Sequence, residues 1–387
     1  MAASRSTMVV HGQPSWEVSS DKTHAFMTEV GGQIGPVTFE VDGRKIAPLS
    51  VAPWNEEPED NSLPAIIRVL RGDFFCMPFG ANGTRYRGEK YELHGETANE
   101  RWALETYSRY EGMTTLHCSL ELGGVGRKGT GRKGRADKFV MLRDGETVVY
   151  QKHVVSGMKG PMDFGHHAMV KFGSEGLVST SRAKLRQVWV EPTERPEGKG
   201  YSALVPGAVF KDLKRVPTVF GGYADLTRYP ARRGFEDIVI NVNDPRDVMG
   251  WTAVVFPKEG FVFYTLKDPQ VLASTLFWLS NGGRYYAPWS GRHVDVMGLE
   301  DITGYFHSGL AESAGRNSLS RRGVRTCVAM DPKRPLVVNY IFGVAAVPAG
   351  FDHVKEIVVG HGEVELQSRS GKRVRTVCDG SFLTSGA

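Results

Sequence analysis

The chain has 387 residues, of which 41% are hydrophobic and 24% are charged, a composition typical of a globular protein. The formal net charge is only +5, and the basic residues are not interleaved with aromatic residues in a pattern that indicates nucleic-acid binding. No run of about 18 apolar residues is present, and the N-terminal residues lack a signal-like apolar stretch. We therefore expect a soluble, cytoplasmic protein that binds neither nucleic acid nor membranes.

Short segments rich in β-branched and aromatic residues recur along the chain, with turn residues between them. Residues 37–41 are followed by Asp42-Gly43, which is a hairpin signal. Residues 138–142 and 147–150 flank a second such turn at Asp144-Gly145. Further strand-like segments lie at residues 235–242, 251–256, 260–264, 336–342, 357–359 and 363–366.

Helix signals are sparse. The best is at residues 269–279 (PQVLASTLFWL), preceded by Asp268 as a possible N-cap, and residues 301–312 could form a second short helix. Many closely spaced strands predict a mainly β fold, a large antiparallel β-sandwich or barrel with few short helices. Because no change of composition marks a boundary, residues 1–387 are predicted to form a single domain.

Three motifs contain residues that can transfer protons. They are, in chain order, Leu93-His94-Gly95, Gly165-His166-His167 and Gly298-Leu299-Glu300-Asp301. A histidine together with a carboxylate can move protons at neutral pH. The aromatic faces of Trp102 and Trp289 could stack against a sugar ring. Acid, base and stacking surface together predict proton-transfer chemistry on a carbohydrate.

At this point the sequence resembles a known family. The segments that carry the resemblance are Gly31-Gly32-Gln33-Ile34, GDFFCMPFG at 72–80, His94-Gly95, Trp102, His166-His167 and Glu300. Galactose mutarotase-like proteins similarly carry a Gly-Gly strand, then a Pro-Phe-Gly stretch, then His-Gly and a nearby tryptophan. The resemblance spans residues 20 to 310 and implies a large twisted antiparallel β-sandwich, with a sugar-binding groove on one concave sheet.

The resemblance also implies roles for individual residues. In aldose 1-epimerases a glutamate takes the proton from the anomeric hydroxyl while a histidine protonates the ring oxygen. The ring then opens and can close again on either face. By order along the chain, Glu300 matches the base, His167 the acid, His94 the histidine that holds substrate hydroxyls, and Asp225 the substrate-binding aspartate. This chemistry needs no metal or nucleotide, and the sequence contains no Walker motif, so no cofactor is expected.

Other side chains are candidates for substrate contacts. They are Arg85, Trp102, His166, Trp289, Arg292 and His293. If His166 and His167 lie on a strand, they point to opposite faces, so at most one should face the groove. A metal site made by these two histidines with His293 and Glu300 is an alternative, but adjacent histidines on a strand rarely bind the same ion.

Three functions follow as hypotheses. The leading one is a cofactor-independent aldose 1-epimerase or related isomerase acting on a small carbohydrate. The second is a lyase or hydrolase for a glycoside or uronate on the same scaffold, motivated by residues 281–293, which match no mutarotase signature. The third is a carbohydrate-binding protein without catalysis. The sequence does not identify the sugar, its phosphorylation state or the oligomeric state of the protein. The basic segment 123–134 is interpreted as a solvated hairpin tip or as a contact for an anionic partner.

Overall fold

The computed structural model describes residues 6–58, 60, 62–123 and 131–385. Antiparallel strands predominate in these residues, and the few helices are short, as the sequence predicted. Most of the basic segment predicted at 123–134 lies outside the described residues, because positions 124–130 are not among them.

Two large antiparallel sheets form the body of the described chain. In spatial order, the nine-stranded sheet consists of Arg228–Tyr229, Gly176–Thr180, Gly250–Phe256, Phe261–Lys267, Leu336–Ala346, Val148–Ser156, Gly134–Arg143, Met113–Leu122 and Ala103–Tyr110. The eight-stranded sheet consists of Val209–Phe210, Ala183–Val188, Phe235–Asn243, Ser274–Asn281, Val296–Thr303, Phe164–His166 and Phe75–Cys76, with Ala168–Lys171 also paired to Val296–Thr303.

Smaller sheets and short helices complete the described structure. The remaining strands are Met8–Val10, Gln13–Ser19, Thr23–Thr28, Ile34–Val41 and Arg44–Ile46 in one sheet, Val354–Val359, Glu363–Ser368 and Arg373–Val377 in a second, and two pairs, Gly160–Met162 with Val328–Met330 and Val216–Pro217 with Tyr223–Ala224. The α-helices are Ala65–Val69 and Leu310–Ala314, and the 3-10 helices are Glu96–Ala98, Pro196–Gly198, Ser320–Arg322 and Gly380–Thr384. In this part of the chain neither α-helix has the length and apolar character needed to cross a membrane.

The two large sheets pack face to face through a shared apolar core. Phe277 and Leu299 of the eight-stranded sheet belong to the same buried cluster as Phe263 of the nine-stranded sheet. Successive side chains of a strand point to opposite faces, so Leu276 and Trp278 belong to a different cluster on the other face. Full burial of a side chain of this size contributes about 1.5–3 kcal/mol. This second cluster surrounds the candidate site.

The two large sheets differ in what covers their outer faces. The outer face of the nine-stranded sheet, with Tyr264 and Ile341, packs against Ile357 and Leu366 of the C-terminal three-stranded sheet. The outer face of the eight-stranded sheet is covered instead by loops and short helices, which include Ile66. Loops leave room for a cavity where a continuous sheet would not.

Of the two helix predictions in the second half of the chain, the first is wrong and the second is met only at its end. Residues 269–279 do not form a helix, because Ser274–Asn281 is a central strand of the eight-stranded sheet. Both faces of this strand are buried, and its central residues 276–279 (LFWL) form a continuous apolar run, which periodicity cannot distinguish from a buried helix. Residues 301–312 begin as the end of Val296–Thr303, and only Leu310–Ala314 is helical.

Candidate active site

A cavity lies on the outer face of the eight-stranded sheet. Its walls are formed by Ile66, Ile67, Leu70, Phe74, Leu93, His94, His167, Ile238, Trp278, Arg284, Trp289, Glu300 and His307. Most of these side chains are apolar or aromatic, and a few are titratable, which is the composition of a small-molecule site. The space within it that a water-sized molecule can enter is about 60 Å³, well below the roughly 300–1,000 Å³ of typical small-molecule sites.

Glu300 and His167 are in direct contact in this cavity. Oε1 of Glu300 lies 3.2 Å from Nε2 of His167. The antiparallel pairing of Ala168–Lys171 with Val296–Thr303 brings the two side chains together, although they are far apart in the chain. Glu300 Oε2 and His167 Nδ1 are buried without a hydrogen-bond partner in the described residues. The pair therefore retains one unused polar atom on each side.

Strand alternation directs Glu300 towards the cavity and Asp301 away from it. Asp301 points between the large sheets, where its Oδ1 accepts a hydrogen bond from Thr275 Oγ1 at 2.6 Å and lies 2.6 Å from Lys267 Nζ. Gly298 makes room for the Glu300 side chain, because a Cβ at position 298 would lie 2.7 Å from Glu300 Oε1. The Gly-Leu-Glu-Asp sequence thus places one carboxylate on each face of the sheet.

His94 enters the cavity from a tight loop. Its φ is 58°, and that of Gly95 is 74°. Position 95 requires a glycine, because a Cβ there would lie only 2.0 Å from the Met77 carbonyl oxygen. His94 Nδ1 accepts a hydrogen bond of 3.3 Å from the Gly80 backbone N–H, so the neutral ring carries its proton on Nε2. The His94 ring centroid lies 5.1 Å from that of His167. The His-Gly motif therefore supplies an oriented N–H donor beside the pair.

Burial controls the protonation of these groups. It raises the pKa of Glu300 well above its usual range, against a smaller opposing effect of Arg284. It lowers the pKa of His167 to about 4 and that of His307 to about 3, and it takes the pKa of His94 well below its usual value. Burial therefore favours the neutral form of both partners, in which the ionisable proton of the pair lies on the carboxyl group.

Arg284 supplies the positive charge of the cavity wall. Its Cζ lies 4.5 Å from the centre of the Trp289 ring and 5.2 Å from that of Trp278. Its Nε donates a hydrogen bond of 2.6 Å to Glu194. Burial acts to lower the pKa of Arg284, but Glu236 and Glu194 outweigh it and raise the pKa. The guanidinium is therefore charged, stacked and fixed in position.

Four of the predicted site residues line this cavity together: His94, His167, Trp289 and Glu300. His293 lies behind the wall, with its ring stacked 5.4 Å from that of Trp278. Its Nδ1 is 2.7 Å from Ser280 Oγ.

Arg292 does not line the cavity. It is partly exposed, and its Nη2 donates a hydrogen bond of 2.8 Å to Glu57 Oε2. Its guanidinium lies 5.9 Å from the Trp54 ring, which in turn packs against Trp289. Arg292 therefore connects two segments beside the cavity, while its neighbour Arg284 reaches the wall.

His166 and Trp102, both predicted to contact substrate, lie elsewhere. His166 points between the large sheets, where it stacks on Tyr340 at 4.0 Å and its Nδ1 donates to Asp73 Oδ2 at 3.0 Å. His166 and His167 thus face opposite sides, as strand geometry predicted. Trp102 is buried, and its Nε1 donates to the Thr97 carbonyl oxygen at 3.0 Å. It supports the loop that carries His94 rather than a ligand.

Arg85 and Asp225 also lie away from the cavity. Arg85 is exposed, and its Nη1 donates to the Gly88 carbonyl oxygen at 3.1 Å within its own turn. Asp225 Oδ1 accepts hydrogen bonds from the N–H and hydroxyl of Thr227 at 2.8 and 2.6 Å, and the residue borders a separate cavity. Matching by order along the chain could not separate these local turns from ligand-binding positions.

Several residues of the cavity escaped the sequence prediction. Trp278 was hidden because its strand was interpreted as a helix, and His307 belongs to no recognisable motif. Arg284 lies in the segment 281–293, which had no interpretation. The alternative metal set is divided, since His166 faces the interior and His167 and Glu300 face the cavity. No group of three or more histidine, cysteine, aspartate or glutamate side chains in the described part of the chain is arranged to hold a metal ion.

Comparison with known proteins identifies the fold class. No protein-family model matches the chain, and no curated protein matches it. Solved structures do match. A galactose mutarotase-like protein from Clostridium acetobutylicum has a TM-score of 0.60 at 11% identity, covering 88% of this chain and 98% of its own. A candidate aldose 1-epimerase from Escherichia coli K12 has a TM-score of 0.56 at 14% identity, covering 87% of this chain and 100% of its own.

A galactose mutarotase-like protein from Lactobacillus casei is similar as well, with a TM-score of 0.55 at 11% identity and coverage of 85% of this chain and 99% of its own. The chain therefore has the galactose mutarotase-like fold, as the sequence resemblance implied. At these identities the likeness establishes the fold alone, and the chemistry has to be argued from the cavity.

Proposed function

We propose that this protein is a cofactor-independent isomerase of the aldose 1-epimerase type, which interconverts the anomers of a sugar. The observation that carries the proposal is the contact between Glu300 and His167 in a cavity lined mainly by apolar and aromatic side chains. The pair holds one proton, and each partner has an unused polar atom. Such a pair can give a proton and accept another in one step.

Ring opening of a cyclic sugar needs this exchange. The anomeric hydroxyl loses its proton, the bond between the anomeric carbon and the ring oxygen breaks, and the ring oxygen gains a proton. In the direction implied by the resemblance, Glu300 is the base and His167 the acid, so the resting proton of Glu300 first passes to His167 across their contact. Closing the ring on the other face reverses the transfers, and the proton count of the pair is unchanged. Each positioned acid or base contributes about 10²–10⁴ in rate.

The other side chains of the wall would position the sugar. His94 Nε2–H can donate to a hydroxyl group, and Trp289 offers an aromatic face to the C–H side of a ring. The apolar side chains of Ile66, Leu70 and Ile238 limit the access of water, which strengthens the electrostatic effects inside the cavity.

The test is the rate of anomer interconversion, measured by polarimetry and saturation-transfer NMR on freshly dissolved aldoses. The panel contains α-glucose, α-galactose, their 6-phosphates and the corresponding uronic acids. We expect acceleration over the spontaneous rate for at least one of these sugars. Ultraviolet-absorbing unsaturated products from glycosides would indicate a lyase instead, and sugar binding without any turnover would indicate a binding protein.

The rate should also show a characteristic pH dependence. The pair of Glu300 and His167 holds one ionisable proton over a range of pH. The lower limit is the pKa of His167, about 4, below which the imidazole gains a second proton, and the upper limit is the raised pKa of Glu300. We therefore expect kcat/KM to fall as pH drops through about 4, where His167 gains a proton, and to stay level above that until Glu300 loses its proton. The spontaneous rate at each pH is subtracted. A step centred near 6.5, where an ordinary histidine titrates, would contradict this assignment.

A further inference from the structure

Arg284 has hydrogen-bonding capacity that the protein does not use. Of its donors, Nε bonds to Glu194, and no hydrogen bond among the described residues involves its two terminal nitrogens. These are the paired donors with which arginine binds an oxyanion. The residue lines the cavity and is held by the Trp289 and Trp278 rings, so its donors are already oriented.

The neighbouring carboxylates do not need these donors. Glu236 accepts hydrogen bonds from Trp278 Nε1 at 2.8 Å, Ser280 Oγ at 3.1 Å and the Gly283 N–H at 3.2 Å. Glu194 accepts from the Tyr286 hydroxyl at 3.1 Å in addition to Arg284 Nε. The two acids stabilise the charge of the guanidinium from one side and leave its other edge to a ligand.

The rest of the cavity wall also favours an acceptor. His94 presents an N–H, and burial raises the pKa of Glu300, which favours the carboxyl form that can donate a hydrogen bond. The negative charge of the ligand is limited by Glu194 and Glu236, which lie beside Arg284. Burial raises the pKa of Glu236 to about 7, so it adds only part of a charge to that of Glu194, and together they would repel a dianion. A singly charged group fits this environment better than a phosphate.

We propose that Arg284 binds a carboxylate group of the substrate, which makes the sugar an acidic aldose such as a hexuronate. The identity of the ligand as a sugar rests on the proposed function, whereas the carboxylate is inferred from Arg284 itself. The proposal also gives a role to the segment that carries Arg284. Gly283 holds this segment against the strand, because a Cβ there would lie 2.4 Å from the Glu236 backbone nitrogen.

The experiment is equilibrium binding at pH 7 by calorimetry or ligand-observed NMR. The probes are galacturonate and its methyl ester, which has nearly the same shape without the charge, together with glucuronate, galactose and galactose 6-phosphate. We expect one hexuronate to bind at least about tenfold more tightly than its ester or the neutral sugar. Equal affinities for the acid and the ester, or a preference for the phosphate, would overturn the proposal.

Variants of Arg284 locate the effect. Arg284→Gln should abolish the preference for the acid over the ester, Arg284→Lys should keep part of it, and the control Arg228→Gln, an exposed arginine paired with Glu175, should keep all of it. If Arg284→Gln does not fold, the comparison of acid and ester on the native protein and on Arg284→Lys decides. An unchanged preference in a folded Arg284→Gln would also overturn the proposal.

The two proposals can fail separately. Acceleration of neutral sugars without a preference for the acid would support the isomerase function and refute the proposal that Arg284 binds a carboxylate. Binding of a hexuronate that depends on Arg284, without any effect on anomer interconversion, would support the carboxylate site and refute the isomerase function.

Discussion

Replacing Glu300 with glutamine is expected to lower turnover by at least ~10² while substrate affinity stays within a few-fold. Glutamine nearly matches glutamate in volume and keeps one acceptor oxygen, but it can neither give nor take the ionisable proton. The glutamine side chain can still contact His167, as Glu300 does at 3.2 Å, but it cannot exchange a proton with it. Rates are measured by saturation-transfer NMR on the sugar that the native protein accelerates most.

The same variant should change how stability depends on pH. Burial raises the pKa of Glu300 in the folded protein, so its contribution to stability is full below the ordinary pKa near 4.5 and is lost as pH rises through the raised value. Glutamine has no such loss. We therefore expect the Tm of Glu300→Gln minus that of the native protein to increase from pH 5 towards alkaline pH.

A matched control for both measurements is Glu175→Gln, an exposed glutamate paired with Arg228 at the surface. It should leave the rate and the pH dependence of Tm unchanged. Near-native turnover by Glu300→Gln would refute the assignment of Glu300, and a Tm difference that does not vary with pH would refute its protonated resting state.

Asp73→Asn is expected to reduce the free energy of unfolding by about 3–5 kcal/mol, as for other buried charges that lose a partner. Asp73 is fully buried between the large sheets. Its Oδ2 accepts from Gln151 Nε2 at 2.6 Å and from His166 Nδ1 at 3.0 Å, and its Oδ1 accepts from the His167 backbone N–H at 3.1 Å. An asparagine has one acceptor oxygen for these three donors, and it leaves the buried Lys138 without the charge of Asp73.

The lowered pKa of Asp73 makes its contribution to stability depend on pH. Burial acts to raise it, but His166, Lys138 and Gln151 outweigh burial and lower it. The contribution of Asp73 is therefore present above its ordinary pKa of 3.8 and is lost as pH falls through the lowered value. Urea unfolding at pH 7 measures the loss, with the more exposed Asp144→Asn as the control. A loss below about 1 kcal/mol for Asp73→Asn would show that the core adapts to the missing charge.

The class of fold was accessible from the sequence because strand periodicity is a local property. Alternating segments such as residues 37–41 and the Asp-Gly turns report on side chains within a few positions of one another. The opposite orientations of His166 and His167, and of Glu300 and Asp301, follow from the same period of two. The motifs that resemble mutarotases pointed to the fold that the solved structures show.

The membership of the cavity was decided only by tertiary structure. Ser274–Asn281 shows no apolar–polar alternation, since both faces of the strand are buried and its central residues 276–279 are all apolar, and its Trp278 therefore went unnoticed. Arg85 and Asp225 have the residue types expected of a sugar site, yet their hydrogen bonds close local turns instead.

Contacts between segments that are distant in the chain bring the other cavity residues together. Glu300 reaches His167 because Val296–Thr303 pairs with Ala168–Lys171, and Arg284 reaches the same cavity because its loop packs against Glu236 and two tryptophans. The period of two along a strand sets the opposite faces of Glu300 and Asp301 once their strand is known. Which strands become neighbours, and hence which faces share a cavity, depends on long-range pairing and packing that no local pattern encodes.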